Sequence, residues 1–181
     1  MGLGNSGDST YRTTFTQVTT NISDVKQIAC GGKHTFILKN DGSVWSCGSN
    51  NKGQLGLNDT TTRNVFTQVT IDVNNDVKQV ACGENHTIIL KNDGSLWGCG
   101  SYFYGQLGID AYNTTNGKRT LVEIINKDIA ILSVNCGGNV TFITLNNGYV
   151  LSCGSNGNGQ LGVNSTSDVK SVFTMSSFKL F

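Results

Sequence analysis

The sequence predicts an all-β fold assembled from small four-stranded sheets that stack on one another. Three groups of residues return in the same order along the 181-residue chain, at steps of 52 and then 54 residues. The segments between them are short apolar runs, and the chain has 23 glycines and no proline, so Gly, Asn, Asp and Ser must make its turns. A repeat of this length indicates a unit that buries its flanks against its neighbours.

Three motifs define the repeat, and each occurs three times. They are Cys-Gly at Cys30, Cys82 and Cys136, Cys-Gly-Ser at Cys47, Cys99 and Cys153, and Gly-Gln-Leu-Gly at Gly53, Gly105 and Gly159. Leu3-Gly4 lies 52 residues before Leu55-Gly56, which predicts the tail of a preceding repeat at the start of the chain. We therefore expect a tail at 1–14, repeats at 15–65, 66–118 and 119–171, and the start of a fourth repeat at 172–181.

Each repeat is expected to contain four short strands. In the first repeat they are 15–18, 25–30, 34–39 and 43–47, and the pair Asp41-Gly42 is typical of a hairpin between the last two. Residues 35–38 are apolar on successive rather than alternate positions, which indicates that both faces of that strand are covered. Four short strands with both faces buried, and no helical period, predict the blade of a β-propeller.

The order of the motifs resembles the repeat of the regulator of chromosome condensation (RCC1) family. The first unit reads Ala29-Cys30-Gly31-x-x-His34, then Asn40-Asp41-Gly42-x-x-Trp45-x-Cys47-Gly48, then Gly53-Gln54-Leu55-Gly56. The resemblance runs from Leu3 to about Phe173. WD40 blades are shorter, at about 40 to 45 residues, and kelch blades fit by length but not by motif. The third unit departs from the pattern at Asn147, Leu151 and Val140, which replaces His34 and His86, and we interpret it as a diverged blade.

The resemblance implies an RCC1-type β-propeller with three full blades and partial units at each end. Propellers of this family usually close with seven blades, and three blades cannot close a ring. An open end would expose an apolar face. We therefore expect a piece of a seven-bladed propeller or, as the alternative, self-association that covers the open blade ends.

Charge and cysteine spacing exclude several kinds of partner and site. The 13 Lys and Arg balance 12 Asp and Glu without forming a basic groove, so nucleic acid is not the expected partner. No apolar stretch reaches the roughly 18 residues of a membrane helix.

The two cysteines of one unit are predicted to lie two strands apart, about 9.6 Å, and a disulfide needs Cα atoms within about 7 Å. The sequence has no Cys-x-x-Cys motif, so its cysteine spacing does not indicate a metal site. We expect buried thiols in a reducing, cytoplasmic or otherwise intracellular compartment.

No arrangement of residues predicts catalysis or a cofactor. The two histidines, His34 and His86, occupy equivalent repeat positions without a carboxylate or nucleophile at a fixed offset, so we expect structural histidines bonded to backbone. Trp45 and Trp97 are expected in the core. The run 157–162 matches the dinucleotide pattern G-x-G-x-x-G, but its first glycine is absent from the sister repeats and no helix is expected to follow. The sequence thus predicts a protein that is not an enzyme.

One loop differs in kind from its equivalents. Tyr102-Phe103-Tyr104 stands where the other units have Asn50-Asn51-Lys52 and Asn156-Gly157-Asn158. Three adjacent aromatics would form an anchor for a partner, and the alternative is a loop folded onto its own blade or onto the lengthened segment 111–118.

The expected function is a scaffold for binding an unidentified protein partner. The family resemblance offers two alternatives. One is guanine-nucleotide exchange on a Ran-like small GTPase, which in the family uses a wedge inserted between blade strands, for which the 52–54 residue spacing leaves little room. The other is an inhibitor that covers an enzyme's active site.

Overall fold

The structure, a computed structural model, describes residues 14–15, 17–18, 22–70, 76–110, 117–166 and 169–179, with the backbone alone at 169 and 176–179. Within these ranges every regular element is a β-strand. The strands are β1 (Val25–Cys30), β2 (His34–Lys39), β3 (Val44–Gly48), β4 (Arg63–Val69), β5 (Val77–Cys82), β6 (His86–Lys91), β7 (Leu96–Gly100), β8 (Lys118–Ile125), β9 (Ile131–Gly137), β10 (Val140–Leu145), β11 (Tyr149–Ser155) and β12 (Val169–Lys179).

The strands form three antiparallel sheets of four, taken in chain order. Sheet 1 contains β1 to β4, sheet 2 contains β5 to β8, and sheet 3 contains β9 to β12. The first strands of successive sheets contact one another, β1 with β5 and β5 with β9. The prediction of three four-stranded, stacked blades is confirmed.

Each sheet draws its outermost strand from the next sequence repeat. The boundaries expected at 65/66, 118/119 and 171/172 fall inside β4, β8 and β12. The segment 15–18 is expected to form a strand, yet Phe15, Gln17 and Val18 lie outside all strands. Residues 172–175 complete sheet 3 as part of β12. Leu3-Gly4 and residues 111–116 lie outside the described residues.

Two core clusters lie between successive sheets. One cluster joins Phe36 and Leu38 of sheet 1 to Val80 and Ile89 of sheet 2, and a second cluster joins sheets 2 and 3. Strand β6, in the middle sheet, is buried at all six positions. Apolar residues on successive positions of this strand therefore face two different neighbouring sheets, as the sequence predicts.

The Asp-Gly pairs close the hairpins between the second and third strands of sheets 1 and 2. Gly42 has φ +78°, in the left-handed region that glycine adopts without strain. The Asp41 carboxylate accepts hydrogen bonds from the backbone N–H and the hydroxyl of Ser43, at 2.9 and 2.6 Å. The turn thereby sets the register in which His34 faces Gly48.

Candidate functional site

Both histidines lie in buried contacts that join one sheet to the next. The His34 Nε2 atom lies 2.9 Å from the Thr87 hydroxyl, and that hydroxyl donates to the carbonyl of Gln54 at 2.8 Å. Because the single hydroxyl proton is used on Gln54, the imidazole must donate through Nε2. The contact repeats as His86 to Thr141 at 3.0 Å. Each histidine thus bonds a threonine side chain of the next sheet, a partner that the sequence did not indicate.

Burial suits these histidines to structure rather than to proton transfer near neutral pH. Desolvation lowers the pKa of His34 to about 4 and the pKa of His86 to about 3. Both side chains are fully buried. A general base would need a pKa near the working pH and access to a substrate. The predicted structural role of the two histidines fits this geometry.

The six cysteines are free thiols. In sheet 2, Cys82 and Cys99 flank Thr87 on the neighbouring strands, which is the two-strand separation that prevents a disulfide. The Cys99 thiol points at the same Gln54 carbonyl at 3.5 Å. Burial raises the pKa of Cys99 to about 12. One expectation is corrected: Cys30 is exposed, because no described sheet packs in front of β1.

The two tryptophans are half-buried against the core clusters. Trp97 packs on the cluster between sheets 1 and 2, and its ring lies 4.9 Å from the Lys91 ammonium group. Trp45 packs against Ile37, Cys47 and Phe66 on sheet 1. Their predicted role as core anchors agrees with these contacts.

The aromatic loop is divided between the core and the surface. Tyr102 is buried in the cluster between sheets 2 and 3, with the Lys118 ammonium group 5.5 Å from its ring. Phe103 and Tyr104 are 45% and 40% exposed and contact each other edge to face, with ring centroids 4.8 Å apart. The first tyrosine therefore anchors the loop, and the other two aromatics present their rings to solvent.

The position of Tyr102 explains why it points inward. Its equivalents Asn50 and Asn156 are fully buried and accept hydrogen bonds from the backbone N–H groups of Leu55 and Leu161. Every loop of this type therefore turns its first residue inward. Comparison of the three repeats in the sequence carries that signal, although burial of the asparagines is visible only in the structure.

The backbone of the aromatic loop is fixed on several sides. Gln106 accepts a hydrogen bond from the Tyr104 backbone N–H at 2.8 Å and donates to the Asn139 side chain at 3.3 Å. Asn139 in turn donates to the Glu84 carboxylate at 3.3 Å. A Cβ on Gly105 would come within 2.7 Å of the backbone of Ser171, so the loop lies directly on β12. The exposed aromatic pair therefore lies on a loop whose backbone is held by Gln106 and by close packing on β12.

Other kinds of site are not formed by the described parts of the chain. These residues include no group of three or more His, Cys, Asp or Glu side chains placed to hold a metal ion. The run 157–162 forms turns, and no helix follows it in the described residues. Nor do the described ranges include a helix of the length and apolarity needed to span a membrane.

Comparison with known families identifies the repeat. A model of the regulator of chromosome condensation (RCC1) repeat matches residues 41–90, and a second model of that repeat matches residues 25–54 and 77–106. The chain contains RCC1 repeats. The second match covers equivalent parts of two successive units, from the first strand of a sheet to the glutamine of its loop.

Two relatives that this chain matches are much longer than the chain. Mouse "Probable E3 ubiquitin-protein ligase HERC4" is 36% identical over 150 residues, which are 82% of this chain and 14% of that protein. The bovine "Secretion-regulating guanine nucleotide exchange factor" is 41% identical over 85 residues, 47% of this chain and 18% of that protein. The chain therefore spans less than a fifth of the length of either relative.

A solved structure confirms the RCC1 propeller architecture. Prp20p from Saccharomyces cerevisiae, whose crystal structure was described with its binding properties to Gsp1p and histones, superimposes with a TM-score of 0.78 at 25% identity. The match covers 87% of this chain and 39% of Prp20p. The three sheets of this chain thus correspond to part of a larger propeller in that protein.

Proposed function

We propose that this chain is a rigid RCC1-repeat surface through which a protein binds another protein, with Phe103 and Tyr104 as the main contact. The observation that carries the proposal is the pair of exposed aromatic rings on a loop whose first residue, Tyr102, is buried between two sheets. Exposed aromatic side chains supply large contact areas and are enriched among residues that dominate binding energy.

Rigidity of the loop favours a contact of this kind. Binding costs free energy when loops and side chains must be ordered, and here the backbone is already held by Gln106 and by close packing of Gly105 on β12. Asn139 accepts a hydrogen bond from Gln106 of the same loop and donates one to Glu84, so hydrogen-bonding groups lie next to the loop. An apolar centre with a polar rim is the usual composition of a protein interface.

The proposal includes a role without catalysis. The two histidines, His34 and His86, are buried in contacts between sheets, and burial lowers the pKa of each well below neutrality. Burial raises the pKa of the Cys47 thiol to about 11, so this nucleophile is protonated near neutral pH. These features support binding as the task of the chain.

Regulation of a small GTPase is a second candidate, and the comparisons favour it. The bovine relative is named a guanine nucleotide exchange factor, and Prp20p is described by its binding to Gsp1p. The direct measurement is the rate at which labelled GDP leaves a purified Ran-type GTPase in the presence of this chain. If the chain accelerates GDP release and the Phe103→Ser/Tyr104→Ser variant does not, the same loop serves both proposed functions. If the rate of GDP release is unchanged by the chain, exchange activity on that GTPase is excluded.

The proposed contact is tested with a pair of matched variants. Phe103→Ser/Tyr104→Ser removes the exposed rings, and Asn51→Ser/Lys52→Ser changes the equivalent positions of the first repeat. Proteins captured by the wild type from cells would be identified by mass spectrometry, purified and titrated against each variant. We expect a loss of at least about 30-fold in affinity, the effect of roughly 2 kcal/mol at a dominant contact, for the aromatic variant alone.

Tyr102 needs a separate variant because its side chain is in the core. Tyr102→Ser should lower the melting temperature, whereas the Phe103→Ser/Tyr104→Ser variant should leave it nearly unchanged. The proposal fails if the double aromatic variant binds its partner as tightly as the wild type, or if it melts as early as Tyr102→Ser.

A further inference from the structure

A cavity of about 360 Å³ lies between sheets 1 and 2. Gly56 is buried at its base, and the half-buried side chains of Trp97 and Leu121, which also pack on the core cluster between these sheets, form its walls. Small-molecule sites usually enclose about 300–1,000 Å³, and an apolar cavity of only about 150 Å³ is known to take up benzene. The space is therefore large enough for one aromatic ring with a small substituent.

A difference between equivalent residues accounts for this space. The registers of the fourth strands make Leu121 of β8 equivalent to Phe66 of β4 and Phe173 of β12. A Cβ on Gly108 would come within 2.6 Å of the Phe173 ring, whereas a Cβ on the equivalent Gly56 would find its nearest neighbours at 3.4–3.6 Å, the Leu121 side chain among them. The chain thus places a phenyl ring here between sheets 2 and 3, and leaves the place open between sheets 1 and 2.

The opening of the cavity is polar and uncharged. Asn58, Thr70 and Thr120 line it and are exposed, so they mark the end that faces solvent. Among the described residues that line the cavity, none carries a charge. A charged ligand would lose part of its hydration here without gaining an opposite charge. The lining therefore favours a neutral molecule that can form a hydrogen bond at the opening.

Trp97 supplies an aromatic wall that is held in place. Its indole N–H donates to the Ser95 hydroxyl at 3.0 Å, and the Lys91 ammonium group lies 4.9 Å from its ring centroid. With the N–H already used, the tryptophan offers a ligand the apolar surface of its ring. Aromatic rings in contact attract one another beyond the effect of the area they bury, so this wall favours an aromatic ligand over an aliphatic one.

We propose that this cavity binds a small uncharged molecule with one aromatic ring and a hydroxyl-type substituent. The ring lies over Gly56 between Trp97 and Leu121, and the substituent bonds the hydroxyl of Thr70 or Thr120 at the opening. Phe173 supplies a ring of the same kind in the equivalent place between sheets 2 and 3. The site is distinct from the aromatic loop and does not depend on the proposed protein partner.

The probe for the test is 4-fluorobenzyl alcohol, followed by fluorine NMR as the chain is added. For a ligand of about nine non-hydrogen atoms we expect a Kd of about 1 mM. Nuclear Overhauser contacts from the ring of the probe to Trp97 and Leu121 should locate it in the wild type. Cyclohexylmethanol, which has the same substituent on a ring without π electrons, should displace the probe at least about fivefold less well than benzyl alcohol.

Matched variants separate the ring from its substituent. Leu121→Phe restores the side chain of the sister sheets and should weaken binding at least about tenfold without lowering the melting temperature. Leu132→Phe makes the same change at an exposed position of β9 and should bind like the wild type. Thr70→Val/Thr120→Val should weaken binding of 4-fluorobenzyl alcohol and leave the binding of 4-fluorotoluene unchanged.

Three results would overturn the proposal. They are wild-type protein that gives no Overhauser contact between the probe and Trp97, a folded Leu121→Phe variant that binds as tightly as the wild type, and equal competition by cyclohexylmethanol and benzyl alcohol. If Leu121→Phe does not fold, the wild-type contacts and the competition still decide whether an aromatic ring occupies the cavity.

Discussion

Replacement of Thr87 by valine measures how much the link between sheets 1 and 2 stabilises the protein. The two side chains have similar shapes, so the change removes the hydroxyl with little change in packing. It leaves the His34 Nε2–H without its acceptor and takes one donor from the Gln54 carbonyl, in a site where both threonine and histidine are fully buried. The Gln54 carbonyl keeps the Cys99 thiol as a weak donor at 3.5 Å.

The expected loss of stability follows from those two groups. A buried polar group without a partner costs about 1–3 kcal/mol. The Gln54 carbonyl loses one of its two donors and the His34 Nε2–H loses its acceptor, so we expect the free energy of unfolding to fall by about 2–4 kcal/mol in total. With a urea m-value of about 2 kcal/mol/M, the unfolding midpoint should fall by roughly 1–2 M. Fluorescence of Trp45 and Trp97 reports the transition from both sheets.

The matched control is Thr35→Val, at the equivalent position of sheet 1. Thr35 is half-buried on the side of sheet 1 where no described sheet supplies a histidine, so the expected change is about 0.5 kcal/mol or less. His34→Val/Thr87→Val should cost less than the sum of its single changes, because it removes donor and acceptor together. Equal losses for Thr87→Val and Thr35→Val would refute the reasoning.

Three further predictions follow from the same geometry. Stability should be nearly constant between about pH 6.5 and 8 and fall as the pH drops toward 4 and then 3, by on the order of 1 kcal/mol per pH unit for each histidine, because the unfolded chain binds protons that burial denies to His34 and His86. Urea titrations across the acid range should show a shallower slope for His34→Val, and equal slopes would contradict the assignment. In the native protein, a thiol reagent should modify the exposed Cys30 first, since burial raises the pKa of Cys47 to about 11 and that of Cys136 to about 12. Peptide mapping that finds all six cysteines equally modified would contradict the described packing. Gly105→Ala should lower the free energy of unfolding by about 1–3 kcal/mol more than Gly159→Ala. Both glycines have φ near +70°, but only a Cβ at Gly105 would meet backbone, 2.7 Å from the Lys170 carbonyl. Thermal melts compare the two variants, and similar losses of stability would mean that the loop is not held against β12.

The repeating elements were predictable because their determinants are local. The Asp41-Gly42 hairpin follows from the turn chemistry of two residues, and the structure closes it there. Strand β2 follows from an apolar run that fits a sheet covered on both sides. The separation of Cys30 from Cys47 follows from the intervening strand, and all six thiols are free. Local chain geometry sufficed for each of these.

The candidate site was only partly predictable. The substitution of three aromatics at 102–104 is visible in an alignment of the repeats, but the direction of each side chain depends on the neighbouring sheet. Tyr102 turns into the core because its position packs against sheet 3, whereas Phe103 and Tyr104 do not. The histidine acceptors Thr87 and Thr141 lie 53 and 55 residues away, so no spacing within one unit indicates them.

The sequence by itself determined the repeat, its strands and its turns, because these arise from neighbouring residues and from a period that can be counted. Tertiary structure alone decided which strand completes each sheet, since the outermost strand comes from the following repeat. It also decided which equivalent residues are core and which are surface: Ile28 and Val80 have the same chemical character, and only the presence of a preceding sheet separates their environments. Burial is a property of what lies opposite a side chain, and a repeat cannot carry that information for its own ends.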